Sequence, residues 1–142
     1  MSAEAPREFV DTNVFVYAFD AGSGEKGERA RALVRDLWEG GRGCLSLQVL
    51  QELYVTLTRK VARPLAPEAA GRIVEDLSAW SCHEPSRADL VEAIALSRKA
   101  RISLWDALIL QCARASGCAV LWSEDLSAGQ KLAGVVVRNP FA

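Results

Sequence analysis

Apolar residues along the chain fall into short runs that alternate with longer stretches of helical spacing. EFVD (8–11) is a short β-like run, and TNVFVYAF behind it is read as helical in spite of its β-branched residues. In EKGERARALVRDLWEG (25–40), Ala30, Leu33, Val34, Leu37 and Trp38 recur at i, i+3, i+4, i+7 and i+8, an amphipathic helix ended by Gly40 and Gly41. GCLSL (43–47) is a second strand candidate. VLQELYVTLTRKVAR (49–63) then puts Leu50, Leu53, Tyr54, Leu57 and Val61 on one face and stops at Pro64.

The alternation continues to the C-terminus. PEAAGRIVEDLSAW (67–80) opens with proline at a favoured first-turn position and shows Ile73, Val74, Leu77 and Trp80 on its core side. SRADLVEAIALSRKA (86–100) opens with Ser86 and Asp89 spaced as a capping box, and SLWDALILQCARA (103–115) ends before Gly117. CAVLW (118–122) is a continuous apolar strand and VVV (135–137) the last. Strands separated by helices, with no hairpin between them, predict a single α/β domain over residues 1–142, its parallel sheet covered on both faces.

Two of the strand-like runs stop at carboxylates, Asp11 in one and Glu124/Asp125 in the other. In an open parallel α/β sheet the ligand site lies beyond the carboxyl ends of the strands, so both ends face that edge. Two further acids are placed to join them. Asp106 falls in the first turn of a helix whose neighbours Leu104, Trp105, Ala107, Leu108 and Ile109 are apolar, where an aspartate is costly to bury without a partner or a cation. Glu52 lies one turn into the helix that leaves the second strand. Each also has an ordinary reading. Asp11 fits the N-cap of the next helix, and Asp106 stands three residues after Ser103 at capping-box spacing. Glu52 shares a solvated stripe with Thr56 and Arg59, and Asp125 fits a loop before a helix capped by Ser127 and Gln130.

Charge and composition narrow the chemistry. The 142 residues are half hydrophobic and a quarter charged, with 17 basic and 18 acidic side chains. A net charge of −1 creates no bulk field that gathers a polyanion, so a nucleic-acid substrate would need local arginines or a bound metal. Cys44, Cys82, Cys112 and Cys118 are scattered and only His83 could join them, which argues against zinc. Cys112 and Cys118, set among Ala, Leu and Val, read as small buried hydrophobes. No leader pattern and no apolar run near the ~20 residues of a membrane span is present, and the expectation is a cytoplasmic chain with reduced thiols.

The order DTN (11–13), QEL (51–53), SLWDALI (103–109), WSEDL (122–126) and GVVVRNPF (134–141) resembles the PIN-domain nucleases, particularly the VapC-type toxins of bacterial toxin–antitoxin modules. Each motif alone is weak, but five in the family's order span nearly the whole chain. The resemblance implies a three-layer sandwich with a short, mostly parallel central sheet. It implies a metal-dependent ribonuclease, usually dimeric and held inactive by a cognate antitoxin. Asp11, Glu52, Asp106 and Asp125 match the family's acidic quartet, with Asn13 and Ser123 as hydrogen-bonding supports. The chain departs from many relatives in having Ser123 before the last acids, Leu126 after them and Glu124 as an extra carboxylate, leaving open whether Glu124 faces the metal with Asp125.

Such a quartet has a chemical reason of its own. Carboxylates alone repel a phosphodiester, whereas Mg²⁺ or Mn²⁺ bound among them reverses the sign and lowers the pKa of a bound water. The expected metal ligands are Asp11, Asp106 and Asp125, with Asp11 and Asp106 closest and Glu52 and Asp125 acting directly or through water. His83 lies outside every motif. Arg59 and Arg63, one turn apart, are the candidate contacts to single-stranded RNA, and a solvated helix face is the alternative. The resemblance implies a homodimer, with some support from composition, since Trp38, Trp80 and several aliphatic faces exceed what a small sheet obviously covers.

Two other classes remain open at this point. A phosphoryl-accepting signalling domain shares a small α/β fold and an acidic Mg²⁺ cluster, with Lys131 near the C-terminus as a candidate for its lysine; GCLSL, however, offers no acceptor aspartate. A non-catalytic interaction module would use the same carboxylates only as caps.

Overall fold

The computed structural model describes residues 5–126 and 129–142. Among them the chain runs β1 (Glu8–Val10), α1 (Thr12–Phe19), α2 (Gly24–Gly40), β2 (Gly43–Ser46), α3 (Leu47–Arg59), α4 (Pro67–Leu77), β3 (Ser81–His83), α5 (Arg87–Ala100), α6 (Leu104–Ala115), β4 (Val120–Trp122), β5 (Lys131–Leu132) and β6 (Val135–Arg138). The sheet order is β3-β2-β1-β4-β6-β5, parallel throughout except for β5 against β6. The mostly parallel central sheet of a three-layer sandwich is therefore present.

That order explains where a site can form. From β1 the chain moves outward through β2 to the edge strand β3, then returns to β4 on the other side of β1. With right-handed crossovers this reversal puts α5 and α6 on the face opposite the helices that precede β3. The connections that leave the carboxyl ends of the neighbouring strands β1 and β4 part to opposite faces of the sheet, leaving a crevice there. Beneath it Phe9, Val10, Leu45, Leu121 and Val137 form the inner sheet. They pack with Val14, Phe15, Leu37, Leu53, Leu57 and Leu110 from the helices into one core. Burial on both faces is why these strands read as continuous apolar runs.

Several boundaries differ from the sequence reading. The third helix begins at Leu47, with Ser46 Oγ accepting from Val49 N–H, and ends at Arg59 rather than at Pro64. Leaving the helix early lets Leu65 N–H reach Leu57 C=O at 2.8 Å and turns Leu65 back onto the core. Tyr54, expected on the buried face, is exposed, and Val61 lies past the helix end. Trp38 is likewise 44% exposed, its ring edge against Trp80.

Two strands escaped the pattern. β3 is a half-polar edge strand, and β5 forms a hairpin with β6 where none was expected. The hairpin turns on Ala133 and Gly134, both with positive φ (53° and 81°), the geometry of a tight primed turn. Alanine rarely adopts it, so the turn is faint in the sequence. The helix expected after Asp125 would open at Ser127, which lies outside the described residues; among the described residues Gln130 leads directly into β5.

Candidate active site

The crevice between β1 and β4 is built by continuing the β1–β4 and β4–β6 pairings one step past the strands. Asp11 N–H donates to Trp122 C=O at 2.9 Å, and Ser123 N–H donates to Arg138 C=O at 2.9 Å. Both side chains are thereby aimed into the same space. Asp11 also caps α1, its Oδ1 accepting from Thr12 N–H at 2.7 Å. Cap and site readings turn out compatible, because the other oxygen faces the crevice.

The buried Ser123 hydroxyl is the hub. It donates to Asp11 Oδ2 at 2.8 Å and accepts from the backbone N–H groups of Asp125 (3.2 Å) and Leu126 (3.4 Å), folding the loop over itself. Asn13, in the first turn of α1, spans the crevice. Its Nδ2 donates to Asp125 Oδ2 at 3.0 Å and, at longer range, to Asp11 Oδ2 at 3.3 Å, while its Oδ1 accepts from Glu124 N–H at 3.2 Å. One amide therefore bridges two carboxylates 114 positions apart in chain order only by virtue of the fold.

This arrangement is electrostatically costly. Burial, only partly offset by the bonds from Ser123 and Thr12, pushes the Asp11 carboxyl up to about 6, and the charges of Glu52 and Asp125 push in the same direction. Glu52, exposed on α3, is thus within electrostatic reach of Asp11. Gln48 ties that side of the crevice together. Its Nε2 donates to Glu52 Oε1 at 2.8 Å and approaches the Trp105 carbonyl at 3.5 Å, linking α3 to the first turn of α6. Gln48, Gln51, Glu52 and Trp105 line an open groove there, with Trp105 65% exposed.

The structure brings Asp11, Asn13, Ser123 and Asp125 into one hydrogen-bonded group, with Glu52 beside it. Asp106 is half-buried at the start of α6; its N–H is capped by Ser103 Oγ at 3.1 Å, but its side chain returns no bond to Ser103. Among the described residues no three acidic, His or Cys side chains cluster tightly enough to surround one ion. Arg59 ends α3 seven residues past Glu52, about 10 Å further along the axis, and Arg63 lies beyond the helix. Among the described residues neither arginine makes a side-chain hydrogen bond or ion pair with a crevice residue.

The cation at the site's rim is one the sequence reading passed over. Lys26, in the first turn of α2, places its Nζ 3.1 Å from Glu124 Oε1, and the Tyr17 hydroxyl donates to the same oxygen at 3.2 Å. The bond from Glu124 raises the lysine pKa. No spacing in the sequence signals this group, whose members are 98 and 107 positions from Glu124.

The PIN domain family model matches residues 9–130. The chain belongs to the PIN domain family. Among solved structures this PIN domain is similar to a toxin–antitoxin complex from Klebsiella pneumoniae, with TM-score 0.70 and 20% identity over 94% of this chain and 97% of that one. It is similar to a DNA-bound VapBC from Salmonella typhimurium, with TM-score 0.68 and 20% identity over 96% and 99%. A third is Mycobacterium tuberculosis VapC20, a toxin cleaving the sarcin–ricin loop, with TM-score 0.63 and 22% identity over 83% and 91%. Identities this low speak for the shared fold. No curated protein matches the chain.

Among the described residues no helix is long and apolar enough to cross a membrane. The four cysteines are free, with Cys112 and Cys118 buried as expected.

Proposed function

We propose that this PIN domain is a divalent-metal-dependent endoribonuclease, the toxin of a toxin–antitoxin pair. The observation that carries the reading is Asp11, a buried carboxylate pushed up to about 6 while facing the like charges of Asp125 and Glu52. A fold holds such a group against its own stability where a cation is to be bound. The donor set fits Mg²⁺ or Mn²⁺. It consists of oxygens alone, and an ion that keeps several waters needs only one or two direct carboxylates. This suits the loose grouping better than a cage of three.

In this reading Asp11 and Asp125 hold the ion, and Glu52 and Asp106 reach it from the α3 and α6 side directly or through water. Once bound, the ion supplies a water of lowered pKa and neutralises charge on the phosphate. The chain's own residues position and orient. Ser123 fixes the Asp11 oxygen by donating to it, and Asn13 sets the separation of Asp11 from Asp125. The groove at Gln48, Gln51, Glu52 and Trp105 offers amides and an exposed indole to an unpaired base, a surface that favours single-stranded RNA.

The alternatives lack such support. β2 ends in Ser46, so no acceptor aspartate stands where a phosphoryl-accepting domain would need one. A module with carboxylates only as caps does not account for the charge gathered around Asp11. We further propose an antitoxin partner and a homodimer. Leu47, Tyr54 and Val55 of α3 and Leu90, Val91 and Ile94 of α5 are large apolar side chains left exposed. Light scattering at micromolar concentration is expected to give twice the monomer mass.

The test of the catalytic reading is cleavage of single-stranded RNA by purified protein with Mn²⁺ or Mg²⁺ and with excess chelator. Discrete products only in the presence of metal are expected. Undiminished cleavage in chelator would remove the metal from the mechanism.

A further inference from the structure

Glu124 is the carboxylate whose role the sequence left open, and its surroundings answer it. Its Oε1 is already engaged by the Lys26 ammonium and the Tyr17 hydroxyl, at 3.1 and 3.2 Å. Its Oε2 is buried, with no partner among the described residues. Its backbone N–H, by contrast, points the other way, donating to Asn13 Oδ1 at 3.2 Å. The side chain is pinned on one side of the loop while the main chain touches the site on the other.

The pinning group is itself rigidly held. Lys26 Nζ lies 5.0 Å from the Tyr17 ring centroid and 5.4 Å from that of Phe141, and the two rings meet edge to face at 4.9 Å. Gly27 makes this approach of α2 to α1 possible. A Cβ there would strike Ser23 Oγ and come within 3.1 Å of the Tyr17 carbonyl. Ser23 Oγ in turn donates to that carbonyl at 2.5 Å, and Arg31 donates to Ala18 C=O at 3.3 Å, fastening the α1–α2 corner.

We propose that Glu124 is a positioning residue rather than a metal ligand: Lys26 and Tyr17 anchor its carboxylate so that its backbone N–H fixes the Asn13 amide, which sets the spacing of Asp11 and Asp125. The inference rests on the metal-dependent nuclease reading and deepens it. An amide with Oδ1 committed to Glu124 N–H must present both Nδ2 protons to the carboxylates; released from that bond, it is free to turn. Pairing with Lys26 also neutralises Glu124, so the extra acid adds little to the charge that repels RNA. Lys26, Tyr17 and Glu124 then act on the reaction only through Asn13.

The test compares Lys26→Met, Lys26→Arg, Tyr17→Phe and Glu124→Ala with wild type. Its first readout is the Asn13 side-chain amide resonance in ¹⁵N-labelled, metal-free protein. Lys26→Met, Tyr17→Phe and Glu124→Ala should shift or broaden it, and Lys26→Arg should restore it. The second readout is the Mn²⁺ concentration that half-saturates the rise in melting temperature, expected to increase on the order of tenfold in Lys26→Met, as for loss of an outer-shell contact. With RNA, kcat should fall and KM stay within about twofold. Two results would overturn the proposal. If Lys26→Met raises KM and flattens its salt dependence while the Asn13 resonance stays put, Lys26 is an RNA contact. If Glu124→Ala abolishes Mn²⁺ binding as completely as Asp11→Asn does, Glu124 is a ligand. Both protein readouts work without RNA, so a wild type that cleaves nothing would defeat the nuclease reading while the amide resonance still decides the relay.

Discussion

Asp11 and Asp89 are both aspartates at the start of a helix, and both are almost fully buried, 6% and 8% exposed. Their environments drive them in opposite directions. Asp89 stands at the rim beside the edge strand β3. It completes a capping box with Ser86 N–H at 2.8 Å and also accepts from Gln111 Nε2 at 3.1 Å, with His83 Nε2 2.8 Å away. Those donors, the Ser86 backbone first and Gln111 next, hold its carboxyl well below the usual range. Asp11 has donors too, but it lies deep in the crevice with Asp125 and Glu52 facing it, and its carboxyl rises to about 6. With comparable exposure, Asp11 at the N-cap of α1 and Asp89 three residues past the Ser86 cap of α5 part as a group the fold tolerates and one that stabilises it. What distinguishes them is the balance: at Asp11 desolvation outweighs the bonds from Ser123 and Thr12, with Glu52 and Asp125 adding to the rise, whereas at Asp89 the donors outweigh desolvation.

The largest effect expected from breaking this comparison is on activity. Asp11→Asn keeps the size and the cap but removes the charge, and RNA cleavage should fall by at least about 100-fold, since even outer-shell changes at metal sites cost 10- to 100-fold. Asp89→Asn should leave cleavage per folded molecule unchanged and instead lower stability. Loss of charge-assisted bonds and of part of the capping box predicts about 2–3 kcal/mol, or on the order of 10 °C in melting temperature. A loss of cleavage in Asp89→Asn at temperatures where it stays folded would show that the two regions are not separate.

Acid titration sharpens the contrast. In metal-free protein the folded-state pKa of Asp11 is raised from 3.8 to about 6, so its protonated form favours folding. That stability is fully present below about pH 4 and is lost as pH rises through 6, on the order of 3 kcal/mol. Asp89 behaves oppositely. Its lowered pKa contributes stability above the unfolded value near 4, lost as pH falls below it. Melts from pH 3.5 to 7 in chelator should therefore show Asp11→Asn gaining on wild type as pH rises, and Asp89→Asn losing the most relative to wild type at the upper end. Parallel curves for wild type and Asp11→Asn would contradict the assigned shift.

The smallest effect belongs to Asp106. Because Ser103 caps the helix through the Asp106 backbone and the Asp106 side chain returns no bond, Asp106→Asn should change metal-free stability by less than about 0.5 kcal/mol. Metal-dependent cleavage should nevertheless drop if its carboxylate reaches the ion. A metal-independent loss near 1 kcal/mol would assign it to capping instead.

How far these distinctions could be read in advance depended on the range of the interaction. Asp11 and Asp125 were legible because each lies just past a buried apolar strand, and a strand's end announces the sheet edge it faces, whereas Ser123 was signalled only by the resemblance. The Ser86–Asp89 box was legible because its partners are three residues apart. The Lys26–Glu124–Tyr17 group was not, since it exists only once α1, α2 and β4 are assembled. Local spacing also grouped Arg59 and Arg63 with Glu52 on one helix, whereas α3 ends at Arg59 and Arg63 lies beyond it. β3 and β5 were lost for a different reason. Strands of three and two residues at or near a sheet edge carry too little apolar periodicity to register.

The most direct test of the account is the melting temperature of wild type, Asp11→Asn and Asp89→Asn at pH 7, each in chelator and in Mn²⁺. An ion bound only to the folded state at about 100 times its dissociation constant adds ~2.7 kcal/mol, a rise on the order of 5 to 15 °C. Wild type and Asp89→Asn should show that rise in full, from different starting points. Asp11→Asn should start above wild type in chelator and gain little. An equal Mn²⁺-dependent rise in Asp11→Asn would contradict the claim that this buried carboxylate is kept for a metal ion.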